Sequence, residues 1–367
     1  DMFCHKAKKK GKVSEINDKF MVVTYDDNTK EYVNLDEQTM KNSDGGFYIT
    51  LQQKTDLKVG NTVKPGQILA YDKKSFSNRV GSSDSQVAYN LGCLTKVAIM
   101  TTEDGYEDSG ICSEWLAEAM SSNIVVCCKD INLSSATNIL FIAKKGQKVT
   151  EGEPILIFQN AFDERDANIL LKNLNDEDGD VSEIGRNVVK SKVTGRISDI
   201  KIYRTCDIDE NMSESMKKIV TTYERDVNKL KKIANSCSNS DSIQLAEAGK
   251  LPAVGKLKGV DGVRIEIYME YHDKLGVGDK VASLNANKNV MMSQYATEDA
   301  PYTDFRPNEA IDAVSSCSAI DGRMICSPFM VGGLNKTMIE LWRKVCDIMG
   351  VKWPTLHEIY EEDMKHK

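Results

Sequence analysis

One ten-residue pattern occurs twice in this chain, and it narrows the choice of fold more than any other feature. In LKVGNTVKPGQILAYD, Gly60, Val63, Gly66 and Leu69 fall at three-residue intervals. KKGQKVTEGEPILIF repeats the pattern at Gly146, Val149, Gly152 and Ile155. Glycine at a fixed offset from an apolar strand residue marks a turn whose backbone needs positive φ. Two such turns, each followed by a β-branched or apolar run, predict hairpins in a β-rich architecture. Lipoyl and biotinyl carriers use similar hairpins, but a carrier needs a modifiable lysine at a tight turn between hydrophobic residues. Here the continuations are YDKKSFSN and QNAFDERD, so the structural reading, a β-turn in a barrel, is favoured.

The flanking sequence reinforces a mostly β reading. Residues 11–35 alternate as strands around the turn DDNTK, and LTKVAIM, NIVVCC, NILFIA and VRIEIYMEY read as further strands. Helical spacing is expected in SGICSEWLAEAM and is strongest at residues 211–235. There Met212, Met216, Ile219, Tyr223, Val227 and Leu230 form one stripe, and the segment reads as a projecting arm flanked by loops. KTMIELWRKVCDIMG and WPTLHEIYEEDM read as two C-terminal helices, with Gly350 ending the first and Pro354 near the start of the second. The expected class is α+β, mostly β.

Composition excludes several function classes. Hydrophobic residues make up 41% and charged residues 28% of 367, which is ordinary for globular domains and implies two or three of them. No apolar run is long enough to span a membrane, so no membrane partner is expected. The opening DMFCHKAKKKGK lacks the apolar stretch of a signal peptide. Ten cysteines are scattered without a C-x-x-C, and the four histidines sit near no cysteine pair, which argues against zinc and fits a reducing cytoplasm. A net charge of −7 means that any grip on nucleic acid comes from a few placed cations or from partner chains.

The most informative stretch is KLGVGDKVASLNANKNV, which sets Lys280 and Lys288 eight residues apart around small and amide side chains. A strand entering a tight turn can bring two such lysines to one anionic group, and each charged hydrogen bond contributes about 1.5–3 kcal/mol. Spacing alone does not separate that role from a pair of solvated lysines.

The segment resembles the signature G-D-K-x-A-x-x-H-G-x-K-G-V of the β subunit of multisubunit DNA-dependent RNA polymerases. Gly278, Asp279, Lys280, Ala282, Asn287, Lys288 and Val290 match in register. TEDAPY (Thr297 to Tyr302) resembles E-D-M-P-Y, and Asp312 stands eleven residues before Arg323-Met324 as in D-I-V-L-N-P…S-R-M. LGCLTKVAIM, GYEDSGICSE (Gly105 to Glu114) and KVGNTVKPGQILA match upstream blocks in the family's order. The chain departs from the pattern at Leu284-Asn285-Ala286 and at Asn289, where the family has Arg-His-Gly and glycine. Neither the N-terminal lobe nor the C-terminal clamp is recognisable. The chain thus resembles the C-terminal half of β, most like the split β subunits of giant (jumbo) bacteriophage polymerases.

That resemblance implies a double-psi β-barrel with an inserted flap or wall and a C-terminal helical segment. The implied segments are 1–114 for the first part of the barrel, 115–270 for the flap with its helical arm, 271–330 for the second part and 331–367 for the C-terminal helices. Lys280 and Lys288 would contact the RNA 3′ end and the incoming nucleotide, and Arg323 the triphosphate. Glu107 and Asp108 would lie near a second, nucleotide-borne Mg²⁺, the ion being held mainly by a β′-type partner. Implied partners are a chain carrying the β N-terminal half, β′-type chains, a σ-like specificity subunit, template DNA, RNA and NTPs. The implied setting is the cytoplasm of a bacterial host, with packaging in the virion as the other possibility. NDEDGD at 175–180 resembles the metal-binding N-A-D-F-D-G-D of β′, which would make Asp176, Asp178 and Asp180 ligands in a self-sufficient polymerase. It also resembles a flap segment of β, which explains more of the flanking residues. A scaffold that keeps the β fold without catalysis is the other rival.

Overall fold

The computed structural model describes residues 4–41, 48–77, 86–89, 92–101, 107–160, 186–239, 243, 245–282, 287–307 and 309–365. Its contacts divide the chain into two compact units: Asp1–Ala88 with Asn123–Tyr271, and Tyr89–Ser122 with His272–Lys367. These boundaries differ from the expected segments, because residues 1–88 belong with the middle of the chain rather than with 89–114. The physical reason is a shared sheet. Strands Gln38–Lys41 and Tyr48–Leu51 complete a six-stranded sheet with Ser122–Leu133, Val263–Asp273, Gly195–Arg204 and Lys148–Val149.

In the first unit, strands Gly11–Ile16, Phe20–Tyr25 and Lys30–Asn34 form the expected antiparallel meander, with Asn28 at φ 64° in the turn. Val13, Met21, Val23, Val33, Val63 and Leu69 make its core. The two repeats fold alike. Gly60 and Gly146 both adopt positive φ, at 91° and 85°, and donate their N–H groups to Val13 and Ile197 on neighbouring strands. In each turn the next side chain, Asn61 or Gln147, accepts from the backbone N–H three residues back.

The best helix of the sequence runs from Glu214 to Asn235, capped by the Ser213 hydroxyl accepting from Met216 N–H. It does not stand off as an arm. Met216 and Val220 enter the core formed by Ile197, Ile265, Ile267 and Met269, while Ala234 packs with Phe20, Val22 and Tyr32. Gly262, with φ 133°, lies where a Cβ would come 2.3 Å from the Leu133 carbonyl oxygen. Gly262→Ala is therefore expected to cost about 2 kcal/mol or more. Gly259→Ala, with positive φ but open space around it, should cost less. Urea denaturation of the two variants checks the order.

The second unit is built on a five-stranded mixed sheet in the order Val97–Ile99, Ala313–Ser315, Ser109–Ser113, Lys288–Tyr295, Lys280–Ala282. Ser109–Ser113 runs parallel to Lys288–Tyr295 and antiparallel to Ala313–Ser315. This corrects the helix expected across 109–120. Residues 109–113 are all buried in the middle strand, and the helix spans only Glu114–Ala119, capped by Ser113. Cys112, Leu116, Ala117, Leu275 and Met291 form the core beneath.

Both C-terminal helices are present, at Ser327–Met349 and Leu356–Lys365. The first starts nine residues earlier than the sequence suggested and ends, as expected, on Gly350 with φ 67°. Among the described residues no helix is long and apolar enough to cross a membrane.

Candidate functional site

The hairpin of the second unit sets the geometry of the two lysines. Gly276 N–H donates to Asp279 Oδ2 at 2.8 Å, and Gly278, at φ 95°, donates to the Met291 carbonyl at 2.8 Å. This turn delivers Lys280 to the start of a short strand that pairs antiparallel with its neighbour: Lys280 with Val290, Val281 with Asn289, Ala282 with Lys288. Directly opposed residues share a face, and so do residues two apart along a strand. Lys280 and Lys288 therefore project from the same face as diagonal neighbours, a relation that places Cβ atoms about 7–8 Å apart. Both are exposed.

Asn289 and Met291 point the other way and are buried. Asn289 Nδ2 donates to Ser315 Oγ at 2.7 Å, although Ser315 lies on the strand beyond Ser109–Ser113. Gly110 makes the crossing possible. It pairs with both Met291 and Ser315, and a Cβ there would lie 2.5 Å from Met291 Cε. The missing side chain leaves room over the central strand for the Met291 methyl, and beside it the Asn289 amide ties the Lys288 strand to its second neighbour.

Arg323, just after the short helix Ser318–Gly322, closes the other side. Its guanidinium donates to Asn287 Oδ1 at 2.9 Å and to Asp108 Oδ2 at 2.8 Å. Asn287 is buried and immediately precedes Lys288. Asp108, at φ 52°, accepts from Val290 N–H through its carbonyl at 2.7 Å. Glu107 is exposed beside it. The sequence-predicted Lys280, Lys288, Arg323, Glu107 and Asp108 thus converge on one end of this sheet. In this arrangement Arg323 spends its guanidinium on the chain's own loops.

A second cluster supports the sheet from below. Asp312, 1% exposed, accepts from the Thr95 hydroxyl at 2.7 Å and from Lys96 N–H at 3.1 Å. Its other oxygen lies 2.6 Å from His357 Nε2, and the imidazole stacks on Trp115 with ring centroids 3.6 Å apart. Burial first, and then the Asp312 carboxylate, push the Tyr295 hydroxyl above its ordinary range.

Nearby, Glu309 lies 2.7 Å from Lys96 Nζ and 2.9 Å from Arg343. Burial alone would raise its carboxyl, but the hydrogen bonds from Arg343 and Lys96 outweigh it and hold the pKa at about 2, against an ordinary 4.5. A depressed carboxyl contributes stability above its unfolded value and loses it as pH falls through the folded one. Glu309→Gln is expected to lower stability at pH 7 and to flatten its decline between pH 4.5 and 2. Thermal midpoints measured across that window check the sign.

Among the described residues no group of three or more His, Cys, Asp or Glu side chains converges as a metal site. Glu107 and Asp108 offer two carboxylates, one already paired with Arg323, and such a pair completes the octahedral oxygen shell of Mg²⁺ only together with waters and substrate phosphates. Asp176, Asp178 and Asp180 lie outside the described residues. The eight cysteines with described side chains are free thiols.

The sequence model of the family RNA polymerase Rpb2, domain 6, matches residues 9–326. The chain belongs to this family. A comparison with curated proteins returns no match. The Rpb2 match covers all five candidate residues and most of both compact units. It makes the chain a β-type subunit component of a multisubunit RNA polymerase, which works in assembly with other polymerase subunits. What sequence reasoning missed in this Rpb2-type chain is the bracing: Asn287, Asn289, Gly110 and Ser315. Asn287, Asn289 and Gly110 lay inside quoted motifs, but the contacts that give them meaning depend on strand order.

Proposed function

We propose that this chain is the C-terminal, catalytic part of a β-type RNA polymerase subunit, and that Lys280 and Lys288 hold phosphates during RNA synthesis. The observation that carries the reading is the placement of both amines on one face of one hairpin, braced on either side by Asn289–Ser315 and by Asn287–Arg323–Asp108. In the reaction the RNA 3′-hydroxyl attacks the α-phosphate of an NTP, a phosphodiester bond forms and pyrophosphate leaves. Negative charge gathers on the triphosphate as it departs, and fixed ammonium groups offset it without reorganising. Lys280 and Lys288 would serve the RNA end and the incoming nucleotide. Arg323 would hold the Lys288 loop and turn to the triphosphate when substrate enters, with Glu107 and Asp108 at the edge nearest a nucleotide-borne ion. Mg²⁺, held mainly by a β′-type partner, would stabilise the attacking and leaving oxygens.

In this reading the five-stranded sheet is part of a double-psi β-barrel, and the first unit supplies the flap or wall. The partners are a chain with the β N-terminal half, β′-type chains and a σ-like subunit on the flap, together with template DNA. The resemblance to split β subunits of giant bacteriophages supports a phage enzyme acting in the cytoplasm of its bacterial host. Reconstitution tests the reading. The purified partner chains, template DNA and labelled NTPs should make RNA only when this chain is added, and RNA synthesis undiminished in its absence would refute the assignment. RNA made by the isolated chain with Mg²⁺ would instead favour the self-sufficient reading built on Asp176, Asp178 and Asp180.

A further inference from the structure

The helix Ser327–Met349 is built inside out. Its inward face carries charge: Arg343 is buried against Glu309, and Glu340 pairs with Lys336 at 3.0 Å and with Arg306 at 2.5 Å. Its outward face is apolar. Leu334, Met338, Leu341, Val345 and Ile348 are between 52% and 78% exposed. With the half-buried Val331 they follow a strict 3-4-3-4-3 spacing. That is the spacing of a coiled-coil seam, with Val331, Met338 and Val345 at one seam position and Leu334, Leu341 and Ile348 at the other. Met330, Trp342, Met349 and Val351 widen the patch.

Area and charge both say what covers it. Nine of these side chains are more than half exposed, and at about 100 Å² of open surface each, less than an aromatic ring carries in full, they offer roughly 900 Å². That matches the ~800 Å² each partner gives to a stable interface and exceeds what a soluble monomer leaves open in one patch. The helix also runs through Gly332 and Gly333, where a Cβ would meet open space, and each costs about 1 kcal/mol relative to alanine. Docking along the seam would offset that cost. Val331 and Val345 at one seam position and Leu334 and Leu341 at the other follow the pattern that favours a single partner helix, with Met338 and Ile348 departing from it. Exposed Lys344 flanks the seam, at a position whose partner sets specificity by charge. A second copy of this chain does not supply the match. Parallel pairing would set Lys344 against Met349 of the other copy, and antiparallel pairing against an edge holding Thr337 and Lys344.

We infer that this face docks one amphipathic helix of another subunit of the assembly, with its own 3-4 apolar repeat and a carboxylate opposite Lys344. The inference does not depend on the roles given to Lys280 and Lys288, and its test does not read RNA synthesis.

The test uses the full chain in the reconstituted polymerase. Leu341→Asp combined with Ile348→Asp should weaken its retention in the complex at least tenfold. The helical circular dichroism and thermal midpoint of the free chain should stay unchanged, because both side chains are already exposed. Lys344→Glu should weaken retention several-fold, and more at low salt than at high. A photocrosslinker, p-benzoylphenylalanine, placed at Leu341 should form its adduct within an apolar helical segment of a different subunit. Adducts between two copies of this chain, or wild-type retention of the double aspartate variant, would overturn the inference.

Discussion

Lys288→Ala, assayed in a reconstituted polymerase at saturating NTP, is expected to slow nucleotide addition by about 10²–10³-fold, the usual loss when one preorganised donor is removed from a developing charge. Lys280→Ala should fall in the same range. Both side chains are exposed, and exposed substitutions away from special backbone sites stay within about 0.5 kcal/mol of the parent. Retention in the complex and thermal midpoints should therefore not move. Their diagonal placement on one face adds a second expectation. Residues that act on the same charge couple, so the double variant should lose less than the product of the single losses. Lys288→Arg keeps the charge but changes its reach and geometry, and should recover part of the rate. Single-nucleotide addition in a quench-flow instrument separates these cases. Elongation at the parental rate in both alanine variants would sink the assignment and leave the non-catalytic scaffold as the better reading. Arg323→Ala should behave differently. Its guanidinium holds Asn287 and Asp108, so the variant is expected to loosen the Lys288 loop and to raise KM for NTP as well as lowering kcat.

How much of this was legible in the sequence depends on whether the deciding interactions are local. The two repeats were legible because their turns need glycine at positive φ, and Gly60, Gly66, Gly146 and Gly152 all adopt it. The helix end at Gly350 was legible for the same reason: a left-handed residue is a local device. The lysine pair was visible as spacing and became a site through resemblance. Ser109–Ser113 was misread as helix because a central strand buried on both faces shows no alternation, and over so few residues a buried strand and a buried helix look alike. The grouping of residues 1–88 with 123–271 depends on strands that pair across long stretches of sequence, such as Val125 with Tyr48, and no local pattern encodes that. The Asn289–Ser315 brace was hidden more deeply still. It exists only because Gly110 sits between them in the sheet, so it can be seen only once the strand order is known. The helix ending at Gly350 was legible only from Lys336 onward, and the outward direction of its apolar 3-4 repeat depends on the charged groups packed beneath it.

Asp312→Ala should be the most damaging single change to the fold of the second unit, costing about 3–5 kcal/mol, as expected when one member of a buried charged cluster is removed. The carboxylate serves three donors from separate parts of the chain: the Thr95 hydroxyl, the Lys96 amide and His357. Its own carbonyl accepts from Ser113 N–H at 2.8 Å, so the residue sits where the strand carrying Ser315 meets the helix start. Alanine would leave the Thr95 and Lys96 groups without their acceptor, and each buried unsatisfied group costs about 1–3 kcal/mol. Asp312→Asn is the informative control. One amide oxygen can still accept from Thr95 and Lys96, while the amide N–H can face His357 if the imidazole presents Nε2 as an acceptor. That variant should lose only about 1–2 kcal/mol. The chain is well suited to the measurement, since all three of its tryptophans, Trp115, Trp342 and Trp353, lie in the second unit. Tryptophan fluorescence during urea unfolding therefore reports on that unit alone, even if the first unfolds separately. Trp115 stacks on the histidine that Asp312 holds, so the native-state emission should also shift in Asp312→Ala before any unfolding. An alanine variant with the parental urea midpoint and an unshifted spectrum would show that His357 and the Thr95 loop are held by something other than this carboxylate.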